Sequence, residues 1–441
     1  MPSRLLLPGL SLGYFLVLLD LTIVSVALPA IGADLHAGLS GLQWVTNGYT
    51  ITFAALLLTA GRLADRLGAV RVFVGGLVAF GALSALTAAA GTLPVLVALR
   101  LALGVAGACV LPASLGILTA AWRDPAARAR AVGAWAALTG LALVAGPVAG
   151  GILVETAGWR WIFLVNVPLA AAGVVLTVRS APRTPPAAAR GLDLTGQVAA
   201  VIALGALVYA LVEGPVLAAG AVAVVAGAVF VAVERRAGDA ALLPPALLRA
   251  PGVRPAVLAG LLATFGLSGL LFVLSLALQA ERGWSALGTG LAFLPLTVPT
   301  VVNPPLTGRL TARFGPRRPA TLGFLLMAGG AAVLAASTAL AATLAGLLAF
   351  GTGVSFTLPA LVAGVATAVP ARYAGIGAGV LNSGRQVGAA LGVAVLGLVP
   401  SRALLVLVGV LLAGAVVTTF GLRDGTLGHG RVTLGRERGS S

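Results

Sequence analysis

The 441-residue chain contains no lysine, a single cysteine, two histidines and only twelve acidic residues. One cysteine excludes an internal disulfide and a cysteine-based metal cluster. The histidines, His36 and His429, are predicted to lie in a turn and in the C-terminal tail, so no metal site is expected. Without lysine, the chain cannot carry the phosphate-binding loop of ATP-hydrolysing proteins. These shortages give little support to an enzyme, and no cofactor is predicted.

Apolar and small residues make up most of what is present. Hydrophobic residues account for 59% of the chain and charged residues for 9%, whereas soluble domains carry about 25% charged residues. Glycine occurs 60 times, and small residues allow membrane helices to approach closely. The composition therefore predicts an all-α integral membrane protein that spans the lipid bilayer many times.

Apolar runs long enough to cross a bilayer, about 20 residues each, predict fourteen transmembrane helices. They lie near 8–30, 43–61, 71–91, 93–120, 130–154, 160–179, 194–213, 215–234, 254–280, 287–308, 319–339, 341–366, 373–397 and 400–421.

The basic residues predict how these helices are oriented. Most of the arginines fall in the connections that share one side, as the positive-inside rule requires of the cytoplasmic side. Both termini are therefore expected in the cytoplasm. The same distribution accounts for the net charge of +16 without a nucleic acid partner.

An internal repeat divides the chain. The segments GRLADRLGAVR (61–71) and GRLTARFGPRR (308–318) match at six of eleven positions, which is typical of parallel repeats in transporters. We expect a six-helix bundle over 1–180, a linker with two extra transmembrane helices over 181–250, and a second six-helix bundle over 251–421. The polar, glycine-rich segment 422–441 is expected to form a disordered cytoplasmic tail.

Asp20 lies halfway through the first predicted span, where a carboxylate costs several kcal/mol unless it has a role or a partner. Such an acid most often carries a proton or faces a cation, and the alternative is a carboxylate satisfied by hydrogen bonds between packed helices.

Motifs in order along residues 8–421 resemble the fourteen-span drug/proton antiporter family of the major facilitator superfamily. They are LDLTIVSVALPAI (19–31), GRLADRLG (61–68), LVALRLALGVAGA (96–108), AGPVAGG (145–151), GWRWIFLVNVP (158–168) and LNSGRQVGAALGVAV (381–395). The resemblance implies a multi-pass protein of a bacterial cell membrane that functions as a monomer, with protons as the coupling ion. The chain departs from the family pattern at Ser25, Ala69, Val70 and Leu103.

The resemblance also assigns roles to residues. Asp20 and Arg100 are implied in proton coupling, with a structural partner as the alternative for Arg100. The loop between spans 2 and 3 is implied as a conformational latch through Gly61, Asp65, Arg66, Gly68 and Arg71. The antiporter motif comprises Gly146, Pro147, Gly150 and Gly151, and the alternative is a kinked packing helix.

Polar and aromatic residues in the predicted core spans are candidates for substrate binding, although each aromatic is more often part of a core. They are Asn47, Tyr49, Phe53, Phe265, Phe272, Gln279, Asn303, Phe356, Asn382 and Arg385. Asn382 and Gln386 could equally bridge helices. Pro295, Pro299, Pro304 and Pro305 predict a broken tenth span.

The predicted function is proton-coupled efflux of lipophilic, neutral or monocationic drugs or secondary metabolites by alternating access. The lack of a deep carboxylate in the second bundle argues against a dication. The alternatives are a proton-coupled uptake symporter for a small metabolite and a non-transporting membrane sensor.

Overall fold

The structure is a computed structural model, and it describes residues 5–122, 124–182, 193–237, 241, 247, 249–369 and 374–422. The described residues form seventeen α-helices, with one π-helical turn and one 3-10 turn. The helices are α1 (Leu6–Asp34), α2 (Leu39–Leu67), α3 (Ala69–Ala88), α4 (Leu93–Ala121), α5 (Pro125–Ala157), α6 (Trp161–Leu164), α7 (Asn166–Ser180), α8 (Leu194–Glu213), α9 (Val216–Ala237), α10 (Val253–Leu276), α11 (Ala286–Ala292), α12 (Leu294–Val302), α13 (Pro304–Phe314), α14 (Arg317–Ala336), α15 (Leu340–Ala368), α16 (Ala374–Leu398) and α17 (Ala403–Gly421). The π turn is Ala277–Glu281 and the 3-10 turn is Pro400–Arg402.

Eleven helical segments among the described residues are long and apolar enough to cross a membrane. The chain is therefore an all-helical, multi-pass membrane protein. The predicted spans 43–61, 287–308 and 373–397 do not reach this standard, and the physical reasons differ. Helices α2 and α16 carry polar side chains along their length, whereas the run 287–308 is divided among α11, α12 and α13, with prolines at the junctions.

The helices pack in two groups, each with its own buried core. Helices α1 to α7 contact one another around Phe73, Phe80 and neighbouring aliphatic residues. Helices α10 to α17 do the same around Phe324, Phe350 and Leu407. The groups meet where α2 contacts α16, where α5 contacts α11 and α12, and where α1 contacts α10.

The helical hairpin α8–α9 lies outside these groups, and α8 covers the seam between α2 and α16. Polar contacts hold α8 to α2: Trp44 Nε1 donates to Glu213 Oε1 at 2.8 Å. Gln197 Nε2 donates to the Ala55 carbonyl at 2.6 Å, and Thr59 bonds to the same glutamine. The contact of α8 with α16 is apolar and places Leu204 and Val208 beside Ala390 and Ala394.

The structure describes part of the predicted linker and one residue of the predicted tail. Residues 183–192, 238–240, 242–246 and 248 of the linker and 423–441 of the tail lie outside the described residues. The expected disorder of the tail therefore stays a prediction.

Candidate functional site

Asp20 is fully buried in α1 and is enclosed by side chains from two other helices. Arg100 of α4 donates from Nη1 to Asp20 Oδ2 and forms an ion pair. Asn166, the first residue of α7, donates from Nδ2 to Asp20 Oδ1 at 3.2 Å and lies 3.4 Å from Ser84 Oγ. The carboxylate therefore has a partner on each oxygen.

Arg100 is as deeply buried as its partner, and its guanidinium contacts a carbonyl and two aromatic rings besides Asp20. Its Nε donates to the Val45 carbonyl at 3.0 Å. The guanidinium carbon lies 4.7 Å from the centre of the Tyr49 ring and 5.8 Å from that of Phe163, within cation–π range. The sequence left open whether Asp20 and Arg100 pair, and the structure brings them together.

A buried ion pair of this kind can change state on protonation. Removing one charge of a buried pair costs about 3–5 kcal/mol, because the other charge is left without compensation. Adding a proton to Asp20 would neutralise the carboxylate and leave the charge of Arg100 without compensation. Arg100 contacts Asp20 of α1 together with the Val45 carbonyl and the Tyr49 ring of α2.

Asn166 was not among the residues predicted for the site, although it lies in the motif GWRWIFLVNVP. We expect Asn166→Leu to destabilise the protein by about 1.5–3 kcal/mol, the typical value of a hydrogen bond to a charged group. A lower unfolding midpoint of the purified protein in detergent would show this.

The matched control is Asn47→Leu. Asn47 is also fully buried, but neither amide atom has a hydrogen-bond partner within the described ranges. This substitution should leave the unfolding midpoint unchanged or raise it, because no bond is lost. Equal destabilisation by both leucine variants would show that the Asn166–Asp20 contact has no special value.

The glycines of the antiporter motif are the points at which α5 approaches two other helices. An added Cβ at Gly146 would clash with Thr22 of α1, and one at Gly150 would lie 2.7 Å from Val26 of the same helix. At Gly151 the added atom would lie 2.7 Å from the Leu287 Cα of α11. The motif therefore allows α5 to contact both helix groups at once.

Polar ties join the two groups at one end of the helices. Ser275 Oγ donates to the Ser25 carbonyl at 2.6 Å, and Gln279 Nε2 donates to that of Val26 at 3.0 Å. Gln43 Nε2 of α2 donates to the Val393 carbonyl of α16 at 2.9 Å.

The predicted latch lies at the other end of α2. Gly68 has a φ of +93°, a backbone conformation that favours glycine, and it separates α2 from α3. Asp65, Arg66 and Arg71 are exposed, and none forms an ion pair with another described residue. A Cβ added at Gly61 would lie 3.7 Å from the Pro112 Cβ of α4.

The remaining candidates for substrate binding divide by burial. Tyr49 and Phe53 are fully buried and stack with ring centres 5.6 Å apart, so they belong to the core of the first group. Asn303 is half-buried and donates to Ser355 Oγ at 3.0 Å. Asn382 and Arg385 are half-buried on α16. Also buried are Phe265, Phe272 and Phe356.

This fold, with a buried acid–base pair in one of two packed helix groups, is that of a membrane transporter. The family model of the Major Facilitator Superfamily matches residues 10–393, and the chain belongs to this superfamily. It is therefore a transporter and not an enzyme.

Characterised relatives cover most of the chain. It is 36% identical over 407 residues to the methylenomycin A resistance protein of Bacillus subtilis (strain 168), covering 88% of this chain and 86% of the relative. It is 35% identical over 405 residues to the tetracenomycin C resistance and export protein of Streptomyces glaucescens, covering 88% and 74%. A solved structure of a bacterial homologue of the human lysosomal transporter Spinster, inward-facing and occupied, shares the fold. Its TM-score is 0.67 with 16% identity, covering 93% of this chain and 95% of that one.

Proposed function

We propose that this transporter exports lipophilic drugs or secondary metabolites from a bacterial cell in exchange for protons. The observation that carries the proposal is the buried cluster of Asp20, Arg100 and Asn166. The resistance and export functions in the names of its relatives support the direction of transport.

The proposed architecture has fourteen membrane spans. The two helix groups act as bundles over 1–180 and 251–421, and the hairpin within 181–250 follows the first bundle and precedes the second in the sequence. The distribution of arginines supports a cytoplasmic position for both termini. The protein would act as a monomer in the bilayer, with no cofactor beyond the proton.

In the proposed cycle, the two bundles rock about a central site. The ties at residues 25–26, 43 and 393 lie at the extracellular end in this orientation, so the conformation is closed to the outside. Asp65 of the latch has no ion-pair partner among the described residues, which supports a cytoplasmic opening. A proton from outside binds Asp20, releases Arg100 and permits the change of state.

The energy available is sufficient for this task. One proton moving through 100 mV supplies about 2.3 kcal/mol, which corresponds to a concentration ratio of about 50 for a neutral substrate, since 1.4 kcal/mol is a factor of ten.

The direction of transport separates efflux from uptake. We expect everted vesicles carrying the protein to accumulate a labelled substrate when a proton gradient is imposed, with acid inside. A protonophore should release the accumulated substrate. Methylenomycin A and tetracenomycin C are suitable first probes, because relatives confer resistance to them.

Accumulation only in right-side-out vesicles under an inward proton gradient would instead indicate the uptake symporter. If neither vesicle type moved any compound to which the protein confers resistance, the sensor alternative would be favoured. Vesicles from cells that carry an empty plasmid provide the baseline.

A further inference from the structure

Arg385 lies in the middle of α16 with no partner for its guanidinium among the described residues. Its Nε is buried without a hydrogen bond, whereas the side chain as a whole is only half-buried. The aliphatic stem packs over Gly260 of α10, where an added Cβ would lie 3.2 Å from the Arg385 Cγ. Thr264 Oγ1 donates to the Arg385 carbonyl. Helix α10 therefore contacts both the backbone and the stem of Arg385, whereas the charged end has no hydrogen bond to a described residue.

Among the residues that the structure describes, no carboxylate compensates this charge. Asp20 is already paired with Arg100. The other acidic residues that the structure describes lie in the last turn of a helix or at a helix cap; they are Asp34, Asp65, Asp124, Glu155, Asp193, Glu213, Glu234 and Glu281. None of these described carboxylates forms an ion pair with Arg385. An uncompensated cation at this depth is costly once water is excluded.

An aromatic pair of the first helix group lies near this arginine. Tyr14 of α1 and Trp135 of α5 are stacked, with ring centres 4.4 Å apart and planes inclined by 16°. Tyr14 is half-buried and makes no hydrogen bond with a described residue. Asn382, about one turn before Arg385 on α16, is also half-buried and unbonded within the described ranges.

We infer that Arg385, Asn382 and the Tyr14–Trp135 pair form a subsite that selects lipophilic aromatic acids as substrates. The carboxylate or phenolate of the substrate would pair with the guanidinium, whose planar fork matches such groups. The ring of the substrate would pack beside Tyr14. Because Tyr14 and Arg385 come from different helix groups, a molecule bound here touches both groups.

This inference rests on the proposed efflux function and narrows its substrate class. The sequence predicted a neutral or monocationic substrate from the lack of a deep carboxylate. The position of Arg385 favours the opposite sign, since an unpaired guanidinium repels a cation and attracts an anion. Neutral molecules remain acceptable, with weaker binding.

Three probes with one ring system test the charge preference. They are 2-naphthoate, its methyl ester, and 2-(aminomethyl)naphthalene, each measured by equilibrium dialysis against the purified full chain in detergent at neutral pH. Empty micelles give the background. We expect the acid to bind about tenfold to a hundredfold tighter than the ester, the range for a hydrogen bond to a charged group. The amine should bind weakest.

Variants assign the preference to its residue. Arg385→Gln should remove the advantage of the acid over the ester while changing ester binding less than about twofold. Arg385→Lys should keep part of the advantage of the acid over the ester, because lysine retains the positive charge but lacks the planar guanidinium. The control Arg402→Gln removes an exposed arginine outside the helix core and should change nothing. Size-exclusion elution reports whether each variant is folded.

Three results would overturn the inference: no binding of any probe, equal binding of the acid and the amine, or an equal loss of all three probes in folded Arg385→Gln. Binding requires no proton gradient. A preference for the acid in a protein that shows no proton-driven transport would therefore reject the proposed coupling and support the subsite. Proton-driven efflux without a preference for the acid would support the coupling and reject the subsite.

Discussion

Replacing Asp20 by asparagine is expected to reduce drug resistance to the level of a host without the transporter. The amide keeps the size of the side chain and can accept a hydrogen bond from Arg100, but it cannot bind or release a proton. It also leaves Arg100 charged and uncompensated in the interior, which costs about 3–5 kcal/mol. Substrate accumulation in everted vesicles under a proton gradient would measure the loss.

Two further variants separate loss of coupling from loss of structure. Asp34→Asn, at the exposed end of the same helix, removes a surface ion pair with Arg160 and leaves an amide oxygen that can still accept from Trp159 Nε1. This variant should retain full resistance. The double variant Asp20→Asn, Arg100→Gln removes both buried charges and should recover stability without recovering transport. Proton-driven accumulation at the parent level in Asp20→Asn would refute the proposed role of this residue.

Adding one methyl group at Gly146 is expected to abolish transport. The new Cβ would overlap Thr22 Oγ1 and approach the Ile23 backbone nitrogen at 3.2 Å, so α5 would have to move away from α1. Overpacking of this kind costs about 1–3 kcal/mol in a packed core, and it would displace the point where α5 also meets α11. Transport in everted vesicles and the unfolding midpoint should both fall.

Gly133→Ala is the control within the same helix. An added Cβ at Gly133 has no neighbour within 4 Å, and alanine favours a helix by about 1 kcal/mol over glycine in water. This variant should be active and as stable as the parent. If both alanine variants behaved alike, the close approach at Gly146 would have no role in transport.

Single polar residues in apolar runs were the most reliable guide to the site. Asp20 stands out because a carboxylate needs a reason to be in hydrocarbon, and Arg100 supplies its partner. The prolines around residue 300 predicted the division of that run into α12 and α13, which the structure confirms. These features are local in sequence, so they can be read without knowing the fold.

Contacts between distant helices could not be predicted in this way. Asn166 reaches Asp20 across 146 positions, and Tyr14 stacks on Trp135 of another helix. Nothing in the local sequence distinguishes these residues from other polar or aromatic residues at helix ends and interfaces. Fourteen spans were predicted by counting apolar runs, whereas eleven described segments are long and apolar enough to cross a membrane. Helices α2 and α16 fall below that standard because their polar residues lower the hydropathy.

The attachment of α8 has a consequence for motion. Its hydrogen bonds to Trp44, Ala55 and Thr59 are directional. Its contact with Ala390 and Ala394 is apolar and has no preferred direction. When the two groups separate, α8 should therefore travel with α2 and slide over α16. The hairpin α8–α9 would then stay attached to the first helix group and keep lipid acyl chains out of the seam between α2 and α16 throughout the cycle.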